Sequence, residues 1–351
     1  MQRQGVGSGM VGKRLVGSVM VAGAALLWGH MGVLAKFLFN RGEVSPLPLA
    51  ALRSMVAFSF LFLFLALRRR RTLAIPLEEL WRVVIVGVAL GSNNFLYYLT
   101  ITFTTVATAL LLQYMAPLLV ALFSVILFKE RLTKIIVGAL ALAVGGCFLM
   151  VTGYDPNALR LNLPGLLTGL SSACIFAFYT LASKRLLARV MPWPFLLFSY
   201  AAAGLFWSLF IPPWTLLQRG YPPRLWALFL VIALFGTLLP FGLYVHGLVL
   251  LPATHVSIMS TLEPVIGATA AYLFLGESLT LPQILGGFLV ISGVLLVQLS
   301  RASGGSSGGP PARFWSRASH SGGTRQASQS GGGGPRGGRG RREDGSPRGW
   351  R

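Results

Sequence analysis

Long apolar runs alternate with short polar or turn-forming stretches along most of this chain. Ten runs reach the roughly 20 residues that a helix needs to cross a bilayer core. They lie at about 16–38, 47–67, 83–102, 105–128, 134–152, 165–184, 195–213, 225–248, 253–275 and 281–299. The breaks fall where chain reversal is expected: Asn40-Arg41-Gly42-Glu43, the block Arg68 to Arg71, Tyr154-Asp155-Pro156-Asn157 and Gln218-Arg219-Gly220. Almost nothing separates the third and fourth runs, which predicts a tight helical hairpin. The first run is longer than the apolar stretch of a secretory signal and carries Trp28, His30 and Lys36, so it reads as a membrane span. The pattern predicts an all-α integral membrane protein with ten transmembrane helices.

Composition agrees with that pattern. Hydrophobic residues make up 54% of the 351 residues and charged residues only 11%, with a mean hydropathy of +0.69. A formal net charge of +21 would suit a nucleic-acid binder, but not in a chain this apolar. The basic residues are unevenly placed. With the N-terminus inside, 14 fall on the cytoplasmic side of the helical body: Arg3, Lys13, Arg14, Arg68 to Arg71, Arg82, Lys129, Arg131, Lys134, Lys184, Arg185 and Arg189. Only Lys36, Arg41, Arg160, Arg219 and Arg224 fall on the other. Cationic loops stay inside, so both termini are expected in the cytoplasm, with the protein in the cell membrane. Residues 301–351 form a Gly/Ser/Pro/Arg-rich tail without hydrophobic periodicity, expected to be disordered. It is read as a solvated appendage rather than a contact for RNA or anionic lipid, and no nucleic acid is expected as a partner. Cys147 and Cys174 lie in apolar runs and imply neither a disulfide framework nor a metal site.

The chain repeats itself. "QYMAPLLVALFSVILFKERLT" (Gln113 to Thr133) aligns with "STLEPVIGATAAYLFLGESLT" (Ser260 to Thr280) at an offset of 147 residues. Pro117 falls on Pro264, Glu130 on Glu277 and Leu96-Tyr97 on Leu243-Tyr244; at an offset of 148, Gly138 and Gly145 fall on Gly286 and Gly293. Each half holds five spans. Because five is odd, equivalent helices must cross in opposite directions, which makes two inverted five-helix repeats. The organisation read from this is an N-terminal segment (1–15), a first repeat (16–152), a connecting loop (153–164), a second repeat (165–300) and the tail.

Trp28-Gly29 stands in the first span, Arg53 near the start of the second, and the Pro117 to Thr133 block closes the fourth. The Glu263-Pro264 to Thr280 block closes the ninth, and paired glycines mark the fifth and tenth. In this order these motifs resemble the EamA-type members of the drug/metabolite transporter superfamily. The resemblance covers residues 16–300. It implies a secondary transporter, often an exporter, that moves small metabolites, amino acids or amphipathic compounds across the cytoplasmic membrane. The partners expected are a small-molecule substrate, the lipid bilayer, protons as coupling ion and a second copy in a homodimer. No cofactor or catalytic residue is called for, and no phosphate-binding loop is present. The alternatives are a sugar or nucleotide-sugar carrier of the same superfamily and, from another class, an integral-membrane enzyme or a non-transporting scaffold.

Polar residues inside spans carry the candidate chemistry, because a buried ionisable group in a bilayer is costly unless paired or wet. Glu263 lies near the middle of the ninth span, with Ser260 on its face and Pro264 after it. It is a candidate counter-ion for a cationic group or a proton-coupling carboxylate; the alternative is a structural bond to a neighbouring helix. Asn93 and Asn94 in the third span, and Gln113 and Tyr114 in the fourth, are candidates for the cavity wall or, equally, interhelical glue. Trp28, His30 and Tyr244 are placed near the same cavity, with packing as the competing role. His246 and His255 flank the turn between the eighth and ninth spans, as a pH-sensitive gate or as interfacial residues. Pro117, Pro240 and Pro264 are candidate kinks. Arg53 either snorkels or pairs with an acid. Glu130 is expected to pair with nearby basic groups, and the glycines at spacing seven in spans five and ten to mark close helix packing.

Overall fold

The structure, a computed structural model, describes residues 4–68, 75–104, 106–152, 162–276 and 278–299. The tail, the loop around Tyr154 to Asn157, Arg69 to Arg71 and Glu277 lie outside the described residues.

Among the described residues, ten helices are long and apolar enough to cross a membrane. The first three are α1 (Gln4–Asn40), α2 (Pro46–Arg68) and α3 (Leu77–Phe103). The fourth span is two pieces, α4 (Val106–Gln113) and α5 (Ala116–Phe128), and the fifth is α6 (Lys134–Thr152). The sixth and seventh are α7 (Leu163–Leu186) and α8 (Pro192–Phe210), and the short α9 (Pro213–Gln218) follows. The eighth runs through α10 (Pro223–Ala233), a π-helical stretch (Leu234–Leu238) and α11 (Leu239–Leu250). The ninth is again two pieces, α12 (Ala253–Ser260) and α13 (Leu262–Leu275), and the tenth is α14 (Leu281–Leu299).

The helix ends follow local chemistry. Proline occupies the first turn of α7, α8, α9 and α10, where a missing N–H costs nothing. The Asn162 side chain accepts a 2.7 Å hydrogen bond from the Gly165 N–H and so caps α7. Gly276, at φ 68°, ends α13 in the left-handed conformation that glycine adopts without penalty.

Large apolar side chains such as Leu63, Ile126, Phe274 and Phe288 point outward, as they would toward lipid. Small residues let the helices approach inside. The helix α3 packs antiparallel on α7, tied by Thr100 Oγ1 donating to Thr168 Oγ1 at 3.0 Å. The pairing of α1 with the eighth span has the same sense: Gly17 lies against Leu250 and Leu251, and Met31 against Gly236. The two pairings correspond to each other at the sequence offset, the third span answering to the eighth and the sixth to the first.

The fifth and tenth spans meet along a glycine seam. A methyl group on Gly286 would lie 2.7 Å from the Gly146 carbonyl oxygen, and one on Gly293 2.7 Å from that of Ala139. One expectation is corrected here. Gly286 and Gly293 pack closely, but Gly138 and Gly145 face open space. On α6 the contact falls to Gly146, one position and about 100° around the helix from Gly145.

Candidate functional site

Two helices break at equivalent places. The segments α4 (106–113) and α12 (253–260) correspond residue for residue at the offset of 147. Pro117 has no N–H to give to Gln113, and Pro264 none to give to Ser260. The chain tightens at each break, with Met115 N donating to Leu112 O at 3.1 Å and Thr261 N to Ile258 O at 3.2 Å. The outcome is two kinked spans, each with a new helix N-terminus within the bundle.

Glu263 sits in the first turn of α13, where the partial positive charge of the helix N-terminus favours a carboxylate. It lies deep in the bundle, and the residue is only partly accessible. Among the described residues its carboxylate makes no ion pair and no hydrogen bond. Arg53, Tyr97, Tyr114 and Cys147 lie within its Coulombic reach. Gly29 lets α1 close onto this turn, because a methyl group there would meet Gly267 N at 2.9 Å and Glu263 O at 3.0 Å. The neighbouring Trp28 ring packs instead on Phe241 and Tyr244 of α11.

Arg53 reaches from α2 into the break of the eighth span. Its Nε donates to Thr237 Oγ1 at 2.7 Å and its Nη2 to Gly236 O at 3.0 Å. Pro240, four residues after Gly236, cannot return the usual helical hydrogen bond, and Leu239 N reaches back five residues to Leu234 O. Arg53 supplies a donor where the ladder loses one, and Tyr200 Oη donates to Thr237 O at 3.0 Å beside it. Nη1 of Arg53 is left without a protein partner among the described residues.

The other candidates divide. Asn93 is buried: Ser172 Oγ lies 3.0 Å from its Oδ1 and 2.6 Å from Gln113 Oε1, and Gln113 Nε2 donates to Asn93 Oδ1 at 3.4 Å. These three side chains tie the third, fourth and sixth spans together. Asn94 is half-accessible and lies one turn before Tyr97 on the same face, toward Glu263. Tyr114 is buried against Cys147 and Val290. Tyr244 is fully buried, with its hydroxyl 2.8 Å from Thr180 Oγ1, and Trp28 packs on it and on Phe241. Ser260 turns back to Ser257 O at 2.7 Å. His30 is directed instead to the periphery, edge-on to the outward-facing Phe274. His246 rests on Trp193 of α8, and His255 is buried within α12.

Sequence reasoning missed the latch between α2 and the eighth span. Pro240 signals that a carbonyl needs a donor, but nothing local says that the donor comes from Arg53. It also missed two caps. Glu130 accepts from Ala253 N at 3.0 Å and from Thr254 Oγ1 at 2.7 Å, capping α12, and it forms no ion pair among the described residues. Lys184 Nζ donates to Leu248 O at 2.5 Å and Leu251 O at 2.8 Å, closing the end of α11.

The comparisons with known proteins agree with this architecture. Residues 15–152 and again 163–299 match the EamA-like transporter family. The chain belongs to that family. A relative from Salmonella typhimurium, the uncharacterized inner membrane transporter YicL, is 30% identical over 297 residues, covering 82% of this chain and 97% of its own length. The threonine/homoserine exporter RhtA of Escherichia coli is 30% identical over 211 residues, covering 59% of this chain and 68% of its own. A solved crystal structure shares the fold with a TM-score of 0.65 at 22% identity, covering 82% of this chain and 99% of its own. The family and these relatives are transporters rather than enzymes. As an EamA-like family member with ten candidate spans, the chain is a multi-pass membrane protein.

Proposed function

We propose that this EamA-like protein is a secondary active exporter of small metabolites, amino acids or amphipathic compounds across the cytoplasmic membrane. It works by alternating access between two inverted five-helix halves, with both termini in the cytoplasm. The observation that carries the reading is Glu263, a partly accessible residue whose carboxylate has no direct partner among the described residues, at one of two equivalent helix breaks. Discontinuous helices in corresponding positions of two halves mark the binding sites of many secondary transporters. A threonine/homoserine exporter and an inner membrane transporter among the relatives support the substrate range and the membrane.

Glu263 serves the cycle in one of two ways, as counter-ion to a substrate's cationic group or as carrier of the coupling proton. Flux of labelled amino acids, polyamines and cationic dyes in proteoliposomes tests both. Wild-type protein is expected to accelerate at least one class over empty vesicles in response to an imposed pH gradient, and Glu263→Gln to abolish the response to the gradient. Gradient dependence unchanged in Glu263→Gln removes the coupling role, and no flux of any class above empty vesicles removes the transport reading.

A further inference from the structure

The face of the bundle where α3 begins and α7 ends carries a pocket of about 350 Å³ that plays no part in the site around Glu263. Its upper wall is charged and its lower wall apolar. Glu79, buried at the start of α3, holds two arginines, one on each oxygen: Arg189 Nη1 at 2.8 Å on Oε1 and Arg82 Nη1 at 2.9 Å on Oε2. Each arginine spends one nitrogen on that bond and keeps Nε and Nη2, since a guanidinium offers five N–H donors. Arg185, on the last turn of α7 and four residues before Arg189, lines the pocket, and its side chain makes no bond to protein among the described residues. Three arginines against Glu79 leave the lining with two net positive charges; the exposed Glu78 lies outside it, within Coulombic reach of Arg189. The hydrogen bond that Arg189 donates to Glu79 holds its guanidinium above its ordinary range, so the Arg189 charge persists at any physiological pH.

Below the charges the chemistry changes within one or two helical turns. Ile85 and Phe178 are both half-exposed and floor the pocket on the outward side of α3 and α7. Trp81, 57% exposed, flanks it with Arg82 over its ring at 5.2 Å, the arrangement of an aromatic anchor at a membrane–water boundary. A ligand that fits must combine a phosphate-like anion with an apolar chain running down the helices. Basic pockets between helices at this depth suit anionic headgroups.

We propose that this pocket binds an anionic phospholipid. Arg185 and the unused nitrogens of Arg82 and Arg189 take the phosphate, and an acyl chain lies along Ile85 and Phe178. Glu79 is a positioning residue that fixes the arginine pair and does not itself touch the lipid.

The test uses the full chain in phosphatidylcholine nanodiscs doped with a minor fraction of phosphatidylglycerol, with retained lipids counted by native mass spectrometry after mild detergent extraction. Wild-type protein is expected to retain phosphatidylglycerol several-fold above its share in the disc. Arg185→Glu, which neutralises the pocket at an exposed position, should bring that ratio down to the bulk value, and Arg185→Lys should keep most of it. Thermal unfolding in phosphatidylglycerol should shift upward for wild type and not for Arg185→Glu. Equal retention of both lipids, or unchanged enrichment in Arg185→Glu, overturns the proposal. Loss of the bound lipid to excess inorganic phosphate overturns it too, because the pocket would then hold free phosphate.

Discussion

Two side chains of opposite charge carry most of the candidate chemistry, and they differ in how completely the fold uses them. Arg53 is half committed, with Nε and Nη2 bonded to the π-helical stretch and Nη1 left over. Lysine at this position keeps the charge but cannot reach Thr237 Oγ1 and Gly236 O with the fixed fork of a guanidinium. Arg53→Lys is therefore expected to cost about 2 kcal/mol, the usual worth of a lost bond to a charged donor, and to slow transport at least tenfold. Chemical denaturation together with vesicle flux would measure both; full stability in Arg53→Lys would show that the latch carries no weight. Glu263 is scarcely committed at all among the described residues. The neutral isostere in Glu263→Gln should leave stability within about 1 kcal/mol while changing flux, because no native bond is lost. Asn93 should behave in the opposite way. Asn93→Ala breaks the contacts to Ser172 and Gln113, each worth about 0.6 kcal/mol inside a membrane, and lowers stability before it alters substrate preference.

At the scale of elements, the bundle combines rigid seams with interrupted helices. The seam of α6 and α14 is backbone on backbone at Gly146 and Gly286, where no side chain can be inserted without parting the helices. Gly286→Val is expected to destabilise the protein by several kcal/mol, whereas Gly138→Ala, in open space, should be nearly neutral. Comparing the two in detergent-resolved thermal unfolding checks that contrast, and equal midpoints would refute it. Among the described residues three spans are interrupted, at Pro117, Pro240 and Pro264. Pro240→Ala returns an N–H to the eighth span and should let its ladder compete with Arg53 for the Gly236 carbonyl. Slower transport with equal or higher stability is expected, the pattern of a device kept for motion.

At the scale of the molecule, much was legible in the sequence. Ten runs of about 20 apolar residues announce ten helices because a bilayer offers the backbone few other ways to satisfy its hydrogen bonds. The offset of 147 between Pro117 and Pro264 marks the two positions at which spans kink. What stayed hidden depends on neighbours distant in the chain. Arg53 is 184 residues from Thr237, Asn93 is 79 from Ser172 and Glu79 is 110 from Arg189, so no local pattern reveals those partnerships. Helix rotation was equally hidden, which is why α6 packs through Gly146 rather than its neighbour and why His30 faces outward. Single cysteines at Lys129 and Arg219 would test the proposed orientation: a membrane-impermeant thiol reagent on whole cells should label the second and not the first. The reverse labelling would invert the topology.

The resemblance between the halves also has a limit with an energetic meaning. If two perfectly matched halves ran in opposite senses, the forms open to either side of the membrane would be mirror states of equal energy, each half occupied at rest. Here the position that holds Pro240 and the π-helical stretch in the second half holds Asn93, in an unbroken helix, in the first. Glu263 likewise faces Ala116 at its counterpart. Each difference adds energy to one form and not the other, and a bias of 1.4 kcal/mol already makes a tenfold preference. Under the alternating access proposed above, such a bias would rest the empty protein on one side of the membrane, and substrate binding would have to supply the free energy that turns it.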